Sequence, residues 1–121
     1  MGMQTSGMPI VAEALASYMN PSNTKVGVGD SDAAWDPGQT DLQGTNTYRK
    51  SIDSAVTVQN NVLSMTCTFT GNEANFEWKE FGVFVDDALI SRRPQLNGVK
   101  QSGQTWVIQV TLTLLAEEPT P

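Results

Sequence analysis

Glu73-Ala74-Asn75-Phe76-Glu77-Trp78-Lys79-Glu80-Phe81-Gly82-Val83-Phe84-Val85 decides the fold. Three phenylalanines and Trp78 fall within nine positions, interleaved with Glu77 and Glu80. From Phe76 to Val85 the aromatic and β-branched content favours a strand. Strand periodicity places Phe81, Val83 and Val85 on one face and Glu80, Gly82 and Phe84 on the other. Gly82 removes a side chain in mid-strand, which suits a bulge or the close approach of another backbone. The stretch reads as the central core strand, with Phe76, Trp78, Phe81 and Val83 in the core and its charges exposed between them. A catalytic pairing of Glu77 and Glu80 is not expected, because residues three apart in a strand point to opposite faces.

Working outward, the next strand back is Val62–Thr70. Leu63, Met65, Cys67 and Phe69 face inward and Ser64, Thr66, Thr68 and Thr70 outward. Asn60-Asn61 before it reads as a hairpin turn, since asparagine tolerates positive φ. Tyr48–Val58 alternates in part and is expected to be the partner strand. Beyond the organising stretch, Asp86-Asp87 is a turn. Leu89–Arg93 returns as a short strand stopped by Pro94, and Asn97-Gly98 signals another tight turn. Thr105–Leu115 closes the core with Trp106, Ile108, Val110, Leu112 and Leu114 on one face.

The front of the chain differs. Residues 1–7 read as a loose start, and Met8–Met19 as the one helix, with Pro9 in its first turn and Asn20-Pro21 ending it. Val11, Ala14, Leu15 and Tyr18 form a stripe at helical spacing, for packing on the sheet or on a neighbouring subunit. A short strand Lys25–Gly29 leads into a polar, turn-rich loop, Ala33–Thr47, whose sizeable apolar groups are Trp35 and Leu42. Long loops in small domains are often binding surfaces. Trp35 is either a pin holding this loop to the body or an anchor for a partner. Residues 116–121 read as a mobile acidic tail. The expected fold is a mainly antiparallel β-sandwich or jelly roll with one N-terminal helix, residues 1–121 forming one domain.

Composition narrows the function. A net charge of −6 lacks the basic footprint that nucleic acid requires. With no histidine and one cysteine, zinc sites of the usual kind, intrachain disulfides and Ser-His-Asp or Cys-His centres are excluded. Cys67 reads as a buried small hydrophobe. Gly27-Val28-Gly29 lacks the third glycine of a dinucleotide loop and reads as part of a strand, and Asp30-Ser31-Asp32 lacks the later positions of a calcium loop and reads as a turn. No run of apolar residues reaches membrane-spanning length, and no basic, secretory-type leader opens the chain. The expectation is a cytoplasmically made, non-enzymatic protein with no cofactor, no bound metal, no membrane and no nucleic-acid partner.

Five features then occur in order: Val26-Gly27-Val28-Gly29-Asp30, Thr40-Asp41-Leu42, Tyr48-Arg49-Lys50, Ala74-Asn75-Phe76-x-Trp78-x-Glu80-x-Gly82-Val83-Phe84, and Lys100 with Thr105-Trp106. This set, over about residues 25–115, resembles small structural proteins of tailed bacteriophages. Glu80-Phe81-Gly82-Val83-Phe84 is similar to the Glu-x-Gly-Leu-Phe signature of tail-collar and fibre-attachment domains. The resemblance implies a virion subunit made in the host bacterium: a capsid decoration (cement) protein, commonly a β-rich trimer, with tail or baseplate fibre attachment as the alternative. A fibre protein would continue into a repetitive shaft, so a chain of 121 residues is expected to be a separate subunit. Its partners are then other virion proteins and further copies of itself. Trp35, Leu42, Val11, Leu15 and Tyr18 are the candidate interface residues. A carbohydrate-binding module, with Trp35 and Trp78 as stacking platforms, is a third reading.

Overall fold

The computed structural model describes residues 8–114. The loose start expected at 1–7 and the acidic tail at 116–121 lie outside them. Helix α1 (Met8–Tyr18) is followed by seven strands: β1 (Thr24–Gly29), β2 (Thr47–Ser51), β3 (Thr57–Gln59), β4 (Val62–Phe69), β5 (Glu77–Val85), β6 (Ala88–Val99) and β7 (Trp106–Thr113). They form two sheets, ordered β2-β1-β5-β6 and β3-β4-β7. Every pairing is antiparallel. The fold is therefore the β-sandwich expected, and β5 lies inside its sheet between β1 and β6.

The core lies between the sheets. Val26, Val28, Val83 and Val85 from one sheet meet Leu63, Met65, Cys67 and Phe69 from the other. Trp78 is its largest fully buried side chain. Strict alternation would put Trp78 on the face of Glu80, but the β5–β6 register shifts between these residues. The extra residues lie on β6, four of its steps facing two of β5, and beside this irregularity Trp78 packs into the core. Its ring meets Phe69 and Trp106 edge-on at 4.9 Å each, and Phe81 at 6.0 Å. Its Nε1–H donates to Ala74 O at 2.9 Å, so the indole is buried without an unpaired donor. Of the expected core, Trp78 and Val83 are buried, while Phe76, Phe81, Trp106, Ile108 and Val110 pack against the core half-buried.

Four expectations need correction. First, Tyr48–Val58 is not one strand. β2 and β3 belong to different sheets, and the chain crosses between them with Ile52 and Val56 buried on the way. Second, β6 does not stop at Pro94 and Asn97-Gly98 is not a hairpin turn: the strand runs through both to Val99. It is an edge strand, where a missing N–H breaks no ladder bond, and Gly98 takes the positive φ of 103°.

Third, the helix turns a different face inward. Ala12, Ala16 and Met19 are buried, and Leu15 is the one residue of the expected stripe that packs on the core. Val11, Ala14 and Tyr18 face outward. Small alanines let the helix lie close against β3 and β4, which the bulkier stripe would hold off. Fourth, Glu80 is not an exposed charge but fully buried, on the sheet face away from the core.

Candidate functional site

The outer face of the four-stranded sheet is bare where Gly27 on β1 pairs with Gly82 on β5. Neither residue has a side chain, so the pair leaves a socket one residue wide. Leu42, from the loop between β1 and β2, fills it. A Cβ added at Gly27 would lie 3.0 Å from Leu42 Cδ1, and one at Gly82 would lie 3.0 Å from Leu42 Cδ2. Leu42 is accordingly buried. Its expected place in an interface is overturned: it is the apolar pin that seats the loop.

A polar clamp sits beside that pin. Glu80 Oε1 accepts from Arg92 Nε at 2.8 Å and from the Gln43 backbone N–H at 2.9 Å. Its Oε2 accepts from the Gly44 N–H at 2.8 Å. Arg92 reaches the other arm of the loop. Nη1 donates to Ala33 O at 2.9 Å and to Gln39 Oε1 at 3.2 Å, and Nη2 donates to Ser31 O at 3.5 Å. One buried ion pair thus grips both arms of a loop, neutralised and hydrogen-bonded as burial requires. The Asp30 carboxylate closes the loop's base by accepting from the Asn46 backbone N–H at 3.0 Å and from Asn46 Nδ2 at 2.8 Å. These bonds, the side-chain one foremost, hold its pKa below the ordinary value. At the tip, the Asp36 carboxylate accepts from the Gly38 N–H at 2.7 Å. Arg49 lies 3.7 Å over the Phe84 ring and pairs with Asp41 at 3.0 Å.

This scaffold displays Trp35, which is 60% exposed. Its indole does not pin the loop, because Leu42 and the Glu80–Arg92 clamp do. Of the other interface candidates, Val11 and Tyr18 are exposed on α1, apart from this loop in the chain, and the Tyr18 hydroxyl donates to Asp86. Leu15 faces the core. Trp78 has no exposed surface and offers no platform for a sugar. Among the described residues no group of three or more His, Cys, Asp or Glu side chains is placed to hold a metal ion.

A second polar cluster braces the crossing from β4 to β5. Lys50 Nζ lies 2.6 Å from Glu73 Oε1, which also accepts from the Thr70 N–H and hydroxyl. Tyr48 donates to Glu73 Oε2 at 3.1 Å. The Lys50 contact first, then Thr70, holds the Glu73 carboxyl down at about 2. The buried Lys100 ammonium donates to Thr70 O at 2.7 Å and Asn75 Oδ1 at 2.8 Å.

Sequence reasoning missed the Glu80–Arg92 clamp. The signal was present in the alternation. Glu80 shares a face with Gly82 and Phe84, and a carboxylate beside a missing side chain and an aromatic ring marks a covered face.

No protein-family model matches the chain, and no curated protein matches it.

Proposed function

We propose that this chain is a structural protein of a bacteriophage virion: a capsid decoration subunit that binds the shell through the loop carrying Trp35. One observation carries the choice of surface. A fully buried ion pair is devoted to the shape of a surface loop whose exposed apolar group is a tryptophan. Buried pairs are poor sources of net stability, since desolvation offsets most of their attraction. Their use here is accounted for if the loop must keep one shape, and tryptophan is the residue type most enriched where binding energy concentrates. The virion context rests on the ordered resemblance. Its similarity to tail-collar signatures, centred on Glu80-Phe81-Gly82-Val83-Phe84, supports tail or baseplate attachment as the second reading.

The test is a cryo-electron microscopy map of particles from the phage that encodes the chain. A seven-stranded sandwich repeated over the shell, with Trp35 buried against its neighbour, is the expected result. Placement at the tail supports the second reading, and absence from the particle refutes both. Trp35→Ala should weaken attachment by about 2 kcal/mol or more, roughly 30-fold.

A further inference from the structure

The four sheet edges are not equally protected. β2 carries Arg49 and Lys50, and β3 is three residues long. β6 carries Arg93 and Pro94 and breaks its ladder with two register shifts. Short length, charge, proline and bulges are the ordinary guards against edge-to-edge pairing. β7 has none of them: Trp106-Val107-Ile108-Gln109-Val110-Thr111-Leu112-Thr113 has no charge, proline or glycine. Among the described residues it pairs on one side only, with β4. Its inward side chains stay half-buried, while the inward Leu63, Met65, Cys67 and Phe69 of neighbouring β4 are fully buried. A cleft of ≈ 620 Å³ opens beside it towards β6, lined in part by Phe81, Val83, Ile108, Val110 and Leu112.

We propose that β7 pairs antiparallel with β7 of a second copy of this chain, about a two-fold axis beside Val110, so that Gln109 of each copy faces Thr111 of the other. The occupant follows from charge. Two chains of net charge −6 repel each other, yet no carboxylate among the described residues lies on β7 or lines the cleft. The charged residues of the lining are Arg92, already paired with Glu80, and Arg93 on β6, so the charge a second copy meets there is opposite in sign to its own net charge. Symmetry adds to this: an antiparallel pair of identical edges is self-complementary, and each copy offers the row of N–H and C=O groups the other lacks. Parity also agrees. Pairing even-numbered with even-numbered positions keeps Ile108, Val110 and Leu112 of both copies on the core side, where each set covers the other. Val107, Gln109, Thr111 and Thr113 meet outside without a charge. The two three-stranded sheets become one of six strands. This pairing does not depend on the virion reading, and it makes a dimer rather than the trimer that the phage resemblance implies.

Sedimentation of the full chain from micromolar to submillimolar concentration tests it. The expected mass is twice the 13.1 kDa of one chain. Gln109→Lys with Thr111→Lys sets like charges across the axis from two exposed positions. The mass should fall to that of one chain, with melting unchanged. Mixing with Gln109→Glu/Thr111→Glu should restore the dimer, and this mixing also decides the matter if the lysine variant melts early. A monomer throughout the range, a trimer, a dimer that survives both lysines, or no restoration on mixing overturns the proposal.

Discussion

Removing the charge of Glu80 while keeping its shape is the sharpest perturbation of the clamp. In Glu80→Gln one acceptor oxygen becomes an NH₂ group facing donors that now lack a partner: the Gly44 N–H on one side, or Arg92 and the Gln43 N–H on the other. Arg92 keeps its charge with 1% of its side chain exposed and loses the carboxylate it pairs with. Breaking a buried pair in this way costs about 3–5 kcal/mol. A chain of this size loses roughly 4 °C of melting temperature per kcal/mol, so the expected fall is about 12–20 °C. Glu80→Gln/Arg92→Met removes the orphaned charge as well and should recover a large part of that loss.

The loop should not recover with it. With glutamine at position 80 one acceptor oxygen remains for two backbone N–H groups, so either Gln43 or Gly44 loses its acceptor, and the carbonyls of Ser31 and Ala33 lose their Arg92 donor. Amide exchange at Gln43 or Gly44, whichever faces the new NH₂ group, should therefore accelerate in the double variant while β4 and β5 remain protected. Thermal melting with residue-resolved hydrogen exchange measures both. A Glu80→Gln variant melting within about 4 °C of the parent, roughly 1 kcal/mol, would refute the clamp. So would protected loop amides in the double variant.

Trp78→Ala should cost about 3–5 kcal/mol, read by urea denaturation, whereas Trp35→Ala should leave the midpoint in place; the reverse order would mean that core and surface are exchanged. Gly82→Ala puts a Cβ 3.0 Å from both Leu42 Cδ2 and Leu89 Cδ1, and overpacking of about 1–3 kcal/mol should appear in the same assay. Glu73 has a folded pKa below its ordinary one, so its contribution is complete at neutral pH and is lost as pH falls from 4.5 towards about 2. Melting temperature should decline more steeply across that window for the parent than for Glu73→Gln. Burial pushes the Cys67 thiol up to about 12, so a thiol reagent should leave it untouched in the native chain and label it fully in denaturant.

The sandwich was legible where one physical rule governed each residue. β4 alternates over eight residues because one face is core and the other solvent, and Asp86 and Asp87 turn the chain with positive φ as turn aspartates do. Legibility failed where a second layer intervened. Leu42 looked like a displayed apolar group because its socket is made of two glycines more than a dozen residues away on either side, and an absent side chain leaves no apolar signal of its own. Glu80 looked exposed because carboxylates usually are, and its compensation comes from backbone N–H groups that the sequence does not mark. The helix misled for the opposite reason: it is apolar nearly all round, with Glu13 and Ser17 the polar exceptions before Tyr18 among its eleven residues, so periodicity could not choose its buried face.

Positions 80, 82 and 84 share the β5 face turned away from the core, and each has a different task. Glu80 accepts from the loop backbone, Gly82 leaves room for Leu42, and Phe84 carries the Arg49 guanidinium, which holds Asp41 beside Leu42. On β1 the same division recurs: Val26 and Val28 fill the core, while Gly27 and Gly29 let the loop and the Glu80 carboxylate come close. A Cβ at Gly29 would lie 2.8 Å from Glu80 Cδ, so glycine there is a condition of the clamp. The five ordered sequence features between residues 26 and 106 thus lie largely at positions that seat a loop on a sheet. Trp35 is not among them. The seat fixes the path of the loop through backbone bonds and buried side chains, whereas a partner meets the exposed tip. Chains sharing the seat would therefore share the loop's course over the sheet, and differences between their tips would set what each one binds.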